Sequence, residues 1–315
     1  TSVTIPDSVI SIGSEAFLCC IGLNGIWVGE NNPNYSSDGF GVLFNKEKTT
    51  LIAYPMNSTA TSYTIPDTVT TIGANAFKGQ TSLTEVKIPE SVTMIEEYAF
   101  YDCNALTAVI IPKHVLQIEQ YAFSNCYALK SLLFEEGSVI KTLGDRVFQN
   151  CHVLSSVVLP DSITYIGQYA FSEARELTYI NIPSGLTELP MAFLYRAKIT
   201  SMDIPDNIKK IGSGCFQYCS YLLSITIPSS VSTIDSAAFY GCSRLAVMNC
   251  LATSAPSTTS NTFGDNQNSY TGRRGVTFSN GVLYVPQGAT GYDTGYWLDP
   301  LQNAEKCGFT LSCTL

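Results

Sequence analysis

The chain has 315 residues, 45% of them apolar and 14% charged, which is a globular composition and not that of a disordered segment. Its net charge is −9, and the only basic pairs are Lys209-Lys210 and Arg273-Arg274. Nucleic acid, which needs a basic stripe, and anionic membrane surfaces are therefore poor partners, and no apolar run approaches the roughly 18 residues of a membrane span.

Residues 1–23 carry Ile5-Pro6, Phe17, Cys20 and Leu23, the parts of a unit that recurs along the chain. The chain begins at Thr1 without Met and without the Leu that leads later units, so we expect a mature or trimmed fragment whose upstream part, any export signal included, is missing. Ile26-Trp27-Val28 starts a second unit 23 residues after Ile5, and the unit is then interrupted. A turn-rich Asn31-Asn32-Pro33-Asn34-Tyr35 leads to Gly41-Val42-Leu43-Phe44 and Thr50-Leu51-Ile52-Ala53-Tyr54-Pro55, joined by Asn45-Lys46-Glu47-Lys48. Two apolar runs across a polar turn predict an inserted β-hairpin at about 29–60.

The period resumes at Ile65-Pro66, and the equivalent positions Ile88, Ile111, Phe134, Leu159, Ile182, Ile204 and Ile227 follow at spacings of 23, 23, 23, 25, 23, 22 and 23 residues. A repeat of roughly 20 to 29 residues with spaced Leu and Ile is the signature of a leucine-rich solenoid. Two units are imperfect. The one at 130–154 gains two residues around Glu136-Gly137-Ser138 and lacks the Pro, and the one at 178–199 has Pro190 where Gly is usual and ends in Ile199. A degenerate unit from Val247 to Phe263 precedes a polar loop at 264–280, expected to be mobile, and then Leu283-Tyr284-Val285-Pro286, read as the last strand. Tyr292, Tyr296, Trp297 and Phe309 should seal the open end of the core. The chain divides into a repeat domain at 1–263 and a C-terminal loop and cap at 264–315.

Within a unit, Val86-Lys87-Ile88 alternates as a short strand with one buried face, and Pro89 ends it because Pro lacks an amide donor. Val92 and Ile95 follow, then Glu-Glu-Tyr-Ala-Phe, which suits one short helical or 3₁₀ turn. The fold expected is thus a solenoid with a parallel sheet on one face, and short strands and helical or 3₁₀ turns on the other. Phe17, Phe77, Phe100, Phe123, Phe148, Phe171, Phe193, Phe216 and Phe239 should form one interior spine, since parallel strands lie about 4.8 Å apart. A lone unit buries too little to offset its backbone entropy, so stability must come from stacking.

The 11 Cys suggest a disulfide framework, but six of them, Cys20, Cys103, Cys126, Cys151, Cys219 and Cys242, fall three residues after a spine Phe. Parallel Cβ vectors about 4.8 Å apart exceed the roughly 3.8 Å of a relaxed disulfide, so these read as buried free thiols. Cys307 and Cys313 are the exception, where pairing stays open.

The motif Leu-x-x-Ile-x-Ile-Pro-x-x-Val-x-x-Ile-Gly-x-x-Ala-Phe-x-x-Cys resembles the BspA-like leucine-rich repeat family of bacterial surface proteins, and so do the 31–55 insertion and the 283–286 strand. The resemblance implies an exported or cell-surface bacterial protein, with some members adhering to host extracellular-matrix proteins or other cells. It transfers no binding site, because the shared residues are the buried ones.

Function must then lie on the outer face. Beside the inward Ile, the outward column reads Thr4, Thr64, Lys87, Ile110, Leu133, Val158, Asn181, Asp203, Thr226, and its neighbour column includes Glu85, Ala108, Ser131 and Tyr179. The face is polar at both ends and apolar in the middle, which singles out Ala108, Ile110, Leu133, Val158 and Tyr179 as a contact patch for a protein or glycan partner. Strand preference for branched residues explains the same pattern without a partner. The Asp/Glu column after Pro, including Asp67, Glu90, Glu136 and Asp161, reads as turn-stabilising and not as a Ca²⁺ site, so no metal or cofactor is called for. His114 and His152 lie at different positions of different units, and no nucleophile or phosphate-loop motif accompanies them, so no enzyme is expected. The alternative to a binding scaffold is a spacer that holds another domain off the envelope.

Overall fold

The computed structural model describes residues 1–13, 15–259, 262–263, 281–292, 297 and the backbone of 309–313. Each unit makes one coil. Its first strand, such as Glu85–Lys87 or Ala108–Ile111, pairs in parallel with its counterparts on a front face, and its second, such as Met94–Ile95 or Gln117–Ile118, does so on a back face. Register keeps like over like: Val109 lies beside Leu132, and Met202 beside Ile225. The period-2 pattern thereby turns Val86, Val109 and Leu132 into the core and leaves Glu85, Lys87 and Ile110 outside.

The turn carrying Ala-Phe is not the short helix that its sequence suggests, and the reason is its amides. Tyr98, Phe100 and Asp102 donate their N–H groups to Gln120, Ala122 and Ser124 of the next coil, while Ala99, Tyr101 and Cys103 donate to Glu96, Tyr98 and Phe100 within the coil. A helix would direct every amide along its own axis to a carbonyl of the same segment. Alternation requires a left-handed residue on each side of the Phe, and Tyr98 (φ 58°) and Asp102 (φ 61°) supply it, as Tyr121 and Asn125 do one coil later. The turn is therefore a third hydrogen-bonded wall of the solenoid.

The aromatic spine forms with two corrections. Phe77, Phe100, Phe123, Phe148 and Phe171 stack at 4.7, 4.8, 5.4 and 5.3 Å, and Phe216, Phe239 and Phe263 at 5.3 and 5.8 Å. Phe193 is off by one place. The Phe171 amide donates to the Phe193 carbonyl and the Leu194 amide to that of Cys215, so Leu194 occupies the spine and Phe193 the Ala position, its ring at 82° to Phe171. Phe17 is half-buried in a separate cluster with Ile5, Leu23 and Ile26, and Tyr54 from the insertion stacks on Phe77 in its stead.

The insertion exceeds a hairpin. Tyr35–Ser37, Leu43–Asn45 and Thr50–Ala53 form an antiparallel meander whose last strand pairs in parallel with Thr71–Ile72, joining the back sheet. At the other end Gly281–Val285 adds to the front sheet but is not the last strand, because Phe309–Cys313 pairs with it. Tyr292 and Trp297 close the core there, with Trp297 on Phe263 at 4.9 Å. The loop expected at 264–280, Tyr296, Cys307 and the side chains of Phe309 and Cys313 lie outside the described residues.

The cysteine column is buried and its thiols are free from Cys103 onward, whereas Cys20 is only half-buried. Each thiol donates to the carbonyl one coil back, Cys103 to Phe77 at 3.1 Å, Cys126 to Phe100 at 3.2 Å and Cys242 to Phe216 at 3.0 Å. Small, apolar and weakly donating, Cys fits a slot that faces a carbonyl.

Candidate binding surface

Coils 84–106 to 178–199 present the front face on which the sequence places its apolar patch. Ile110, Leu133, Val158 and Tyr179 are 53%, 55%, 65% and 56% exposed, and Ala108 is exposed beside them. Ile110 and Leu133 are register partners, as are Ala108 with Ser131 and Ser156 with Tyr179. Above and below, Lys87, Asp203 and Thr226 make the same face polar.

Between the strands Ser131–Phe134 and Ser156–Val157 the front ladder breaks, at the coil with two extra residues. Phe134 replaces the buried Ile of other coils there and is half-exposed. The added Glu136-Gly137-Ser138 bulges outward, Gly137 taking φ 78°. A groove of about 440 Å³ results, floored by Leu133, Phe134 and Val158 and rimmed by Glu135, Glu136 and Asp161. The Glu135 carboxylate accepts from the Lys113 amide at 3.1 Å and Asp161 from the Ser184 amide at 3.1 Å. The Ser138 hydroxyl in the same wall is buried and has no hydrogen-bond partner among the described residues.

Six copies of the BspA type leucine rich repeat region match residues 1–53, 53–154 and 141–269. The chain belongs to the BspA-type leucine-rich repeat family. A leucine-rich repeat protein of Eubacterium ventriosum is 31% identical, with a TM-score of 0.60, over 76% of this chain and 58% of its own. This chain thus spans less than two thirds of that relative. A leucine rich cell surface protein of Faecalibacterium prausnitzii is 28% identical over 79% of each chain with a TM-score of 0.47, and a leucine-rich repeat protein of Bacteroides ovatus is 25% identical over 70% of each with a TM-score of 0.45. No curated protein matches.

In this BspA-type chain the histidines and column cysteines that the sequence singles out make contacts within the solenoid. Glu90 pairs with Lys113 at 3.6 Å and with His114 at 3.4 Å, both in exposed positions. His152 is half-buried against Tyr127 at 5.0 Å, and burial, together with Arg175, lowers its pKa. Burial pushes the Cys126 thiol up to about 12, and those of Cys103, Cys151 and Cys242 up as well, so none is a ready nucleophile. Among the described residues no group of His, Cys, Asp and Glu is placed to hold a metal, and no helix is long and apolar enough to cross a membrane. The groove was not visible to sequence reasoning, although the two-residue insertion and the lost Pro were its signal.

Proposed function

We propose that the chain is a non-enzymatic binding scaffold displayed on a bacterial cell surface, which takes a protein partner on its front face through Ala108, Ile110, Leu133, Val158 and Tyr179. The observation that supports this most is the run of large exposed apolar side chains at Ile110, Leu133, Val158 and Tyr179 on consecutive central coils, bounded on the same outward column by Lys87 and Asp203, with Trp27 a separate exposed apolar residue beside Thr4 at the N-terminal end. The adjoining acidic-rimmed groove favours a partner that offers an apolar anchor with a Lys or Arg beside it. Surface display rests on the family resemblance.

The double variant Leu133→Asp with Val158→Asp tests it. Attachment of cells or coated beads to host cells and matrix should be lost while the melting temperature is unchanged, because both side chains are solvent-exposed. Unaltered attachment would instead make the chain a spacer.

A further inference from the structure

A second surface lies along the turn wall, on the left-handed position two residues before the spine. Successive coils place Tyr98, Tyr121, Arg146 and Tyr169 there, and they stack. Tyr98 and Tyr121 lie 4.7 Å apart at 8°, and the Arg146 guanidinium sits 5.3 Å from the Tyr121 ring and 4.6 Å from that of Tyr169. The next two coils put Ala192 and Gly214 at this position, so the stack ends at Tyr169. Where it would continue there is an open groove of about 460 Å³, bordered by Tyr169, Tyr195, Gln149, Asn150, Glu173 and Gln217.

The groove also holds Ser172, which is only 2% exposed. Glu173 is committed to Arg196 at 2.9 Å and Arg175 at 2.8 Å, so its charge is compensated. An aromatic face with amides, a hydroxyl and a neutralised carboxylate around it is the chemistry of carbohydrate recognition: C–H bonds of a sugar ring meet the negative face of the tyrosine, and its hydroxyls need groups that both donate and accept.

We propose that the end of this stack is a carbohydrate site, in which a neutral pyranoside lies against the Tyr169 ring in the groove that Ala192 lines and hydrogen-bonds to Gln149, Asn150, Ser172 and Gln217. The site is distinct from the front face, and the two readings fail independently.

Saturation-transfer NMR with methyl β-D-galactopyranoside, methyl α-D-mannopyranoside and methyl β-N-acetyl-D-glucosaminide, each at millimolar concentration, tests the site. At least one should show transfer concentrated on the C–H protons of one ring face. Tyr169→Ala should weaken binding at least about tenfold. Ala192→Tyr, which extends the tyrosine stack, should abolish it. The backbone there suits tyrosine, because Ala192 has φ 52° and Tyr98, Tyr121 and Tyr169 adopt 58°, 57° and 58° at the same position, and since Ala192 is only 4% exposed, an unchanged far-UV circular dichroism spectrum and urea midpoint are required of the variant before its binding is read. Leu133→Asp with Val158→Asp should leave the sugar signal intact. Absence of transfer to all three glycosides, or undiminished transfer in Ala192→Tyr, overturns the proposal.

Discussion

Phe123→Ala is the substitution whose cost follows most directly from the packing. Phe123 is fully buried between Phe100 at 4.8 Å and Phe148 at 5.4 Å. A core Phe→Ala change costs about 3 to 5 kcal/mol, and each lost ring pair adds about 0.5 to 1.5 kcal/mol beyond burial. The cavity cannot close by collapse, since the amides of Tyr121, Phe123 and Asn125 are fixed to Asp145, Val147 and Gln149 of the next coil. The cost should therefore be at least the upper end of the Phe→Ala range, about 5 kcal/mol or more. Phe17, half-buried and outside the stack, should lose only about 1 to 2 kcal/mol on the same change. Urea denaturation followed by far-UV circular dichroism reads both, and native-state hydrogen exchange should show the loosening centred on residues 107–154 for Phe123→Ala. Equal losses for the two variants would refute a spine that runs through Phe123 and bypasses Phe17.

Gly144 and Gly13 occupy the same place in their coils, yet a Cβ on Gly144 would lie 2.3 Å from the Gln120 amide nitrogen while one on Gly13 meets nothing within 4 Å. Gly144→Ala should cost about 1 to 3 kcal/mol and Gly13→Ala no more than about 0.5, measured as shifts in the urea midpoint. Ellman's reagent on the native protein should modify Cys19, which is exposed, rapidly and spare Cys103, Cys126, Cys151, Cys219 and Cys242 until urea unfolds the chain. Because burial raises Cys126 from 9.0 to about 12, folding stability is complete below the ordinary thiol pKa and falls as pH rises toward 12. The slope should reach about 1.4 kcal/mol per pH unit for each such thiol, and Cys126→Ala should remove one thiol's share of it.

The strand register, the front and back faces and the cysteine column were legible because each is a fixed spacing from Ile-Pro. Periodicity reports which side chains share an environment, and it does so without reference to backbone conformation. The turn was misread for that reason: Glu-Glu-Tyr-Ala-Phe is compatible with a helix, and only the neighbouring coil, by accepting alternate amides, selects the left-handed form. The slip at Phe193 arose where one residue is missing and two large apolar residues stand side by side, so that sequence spacing could not say which of Phe193 and Leu194 keeps the register. Tyr54 replacing Phe17 depends on a contact between distant segments, which no local pattern records. The outward patch was placed by the period-2 rule and its five residues are exposed as that rule requires, but the acidic groove beside it exists only in three dimensions.

Whether the front face carries the partner is tested most directly by photo-crosslinking. A benzophenone side chain placed at Val158, and separately at Thr226 on the same outward column, is irradiated with the chain bound to the surface to which it attaches. Covalent adducts from position 158 and none from position 226 are predicted. Equal yields from both positions, or adducts only from position 226, would contradict the assignment of binding to the central coils.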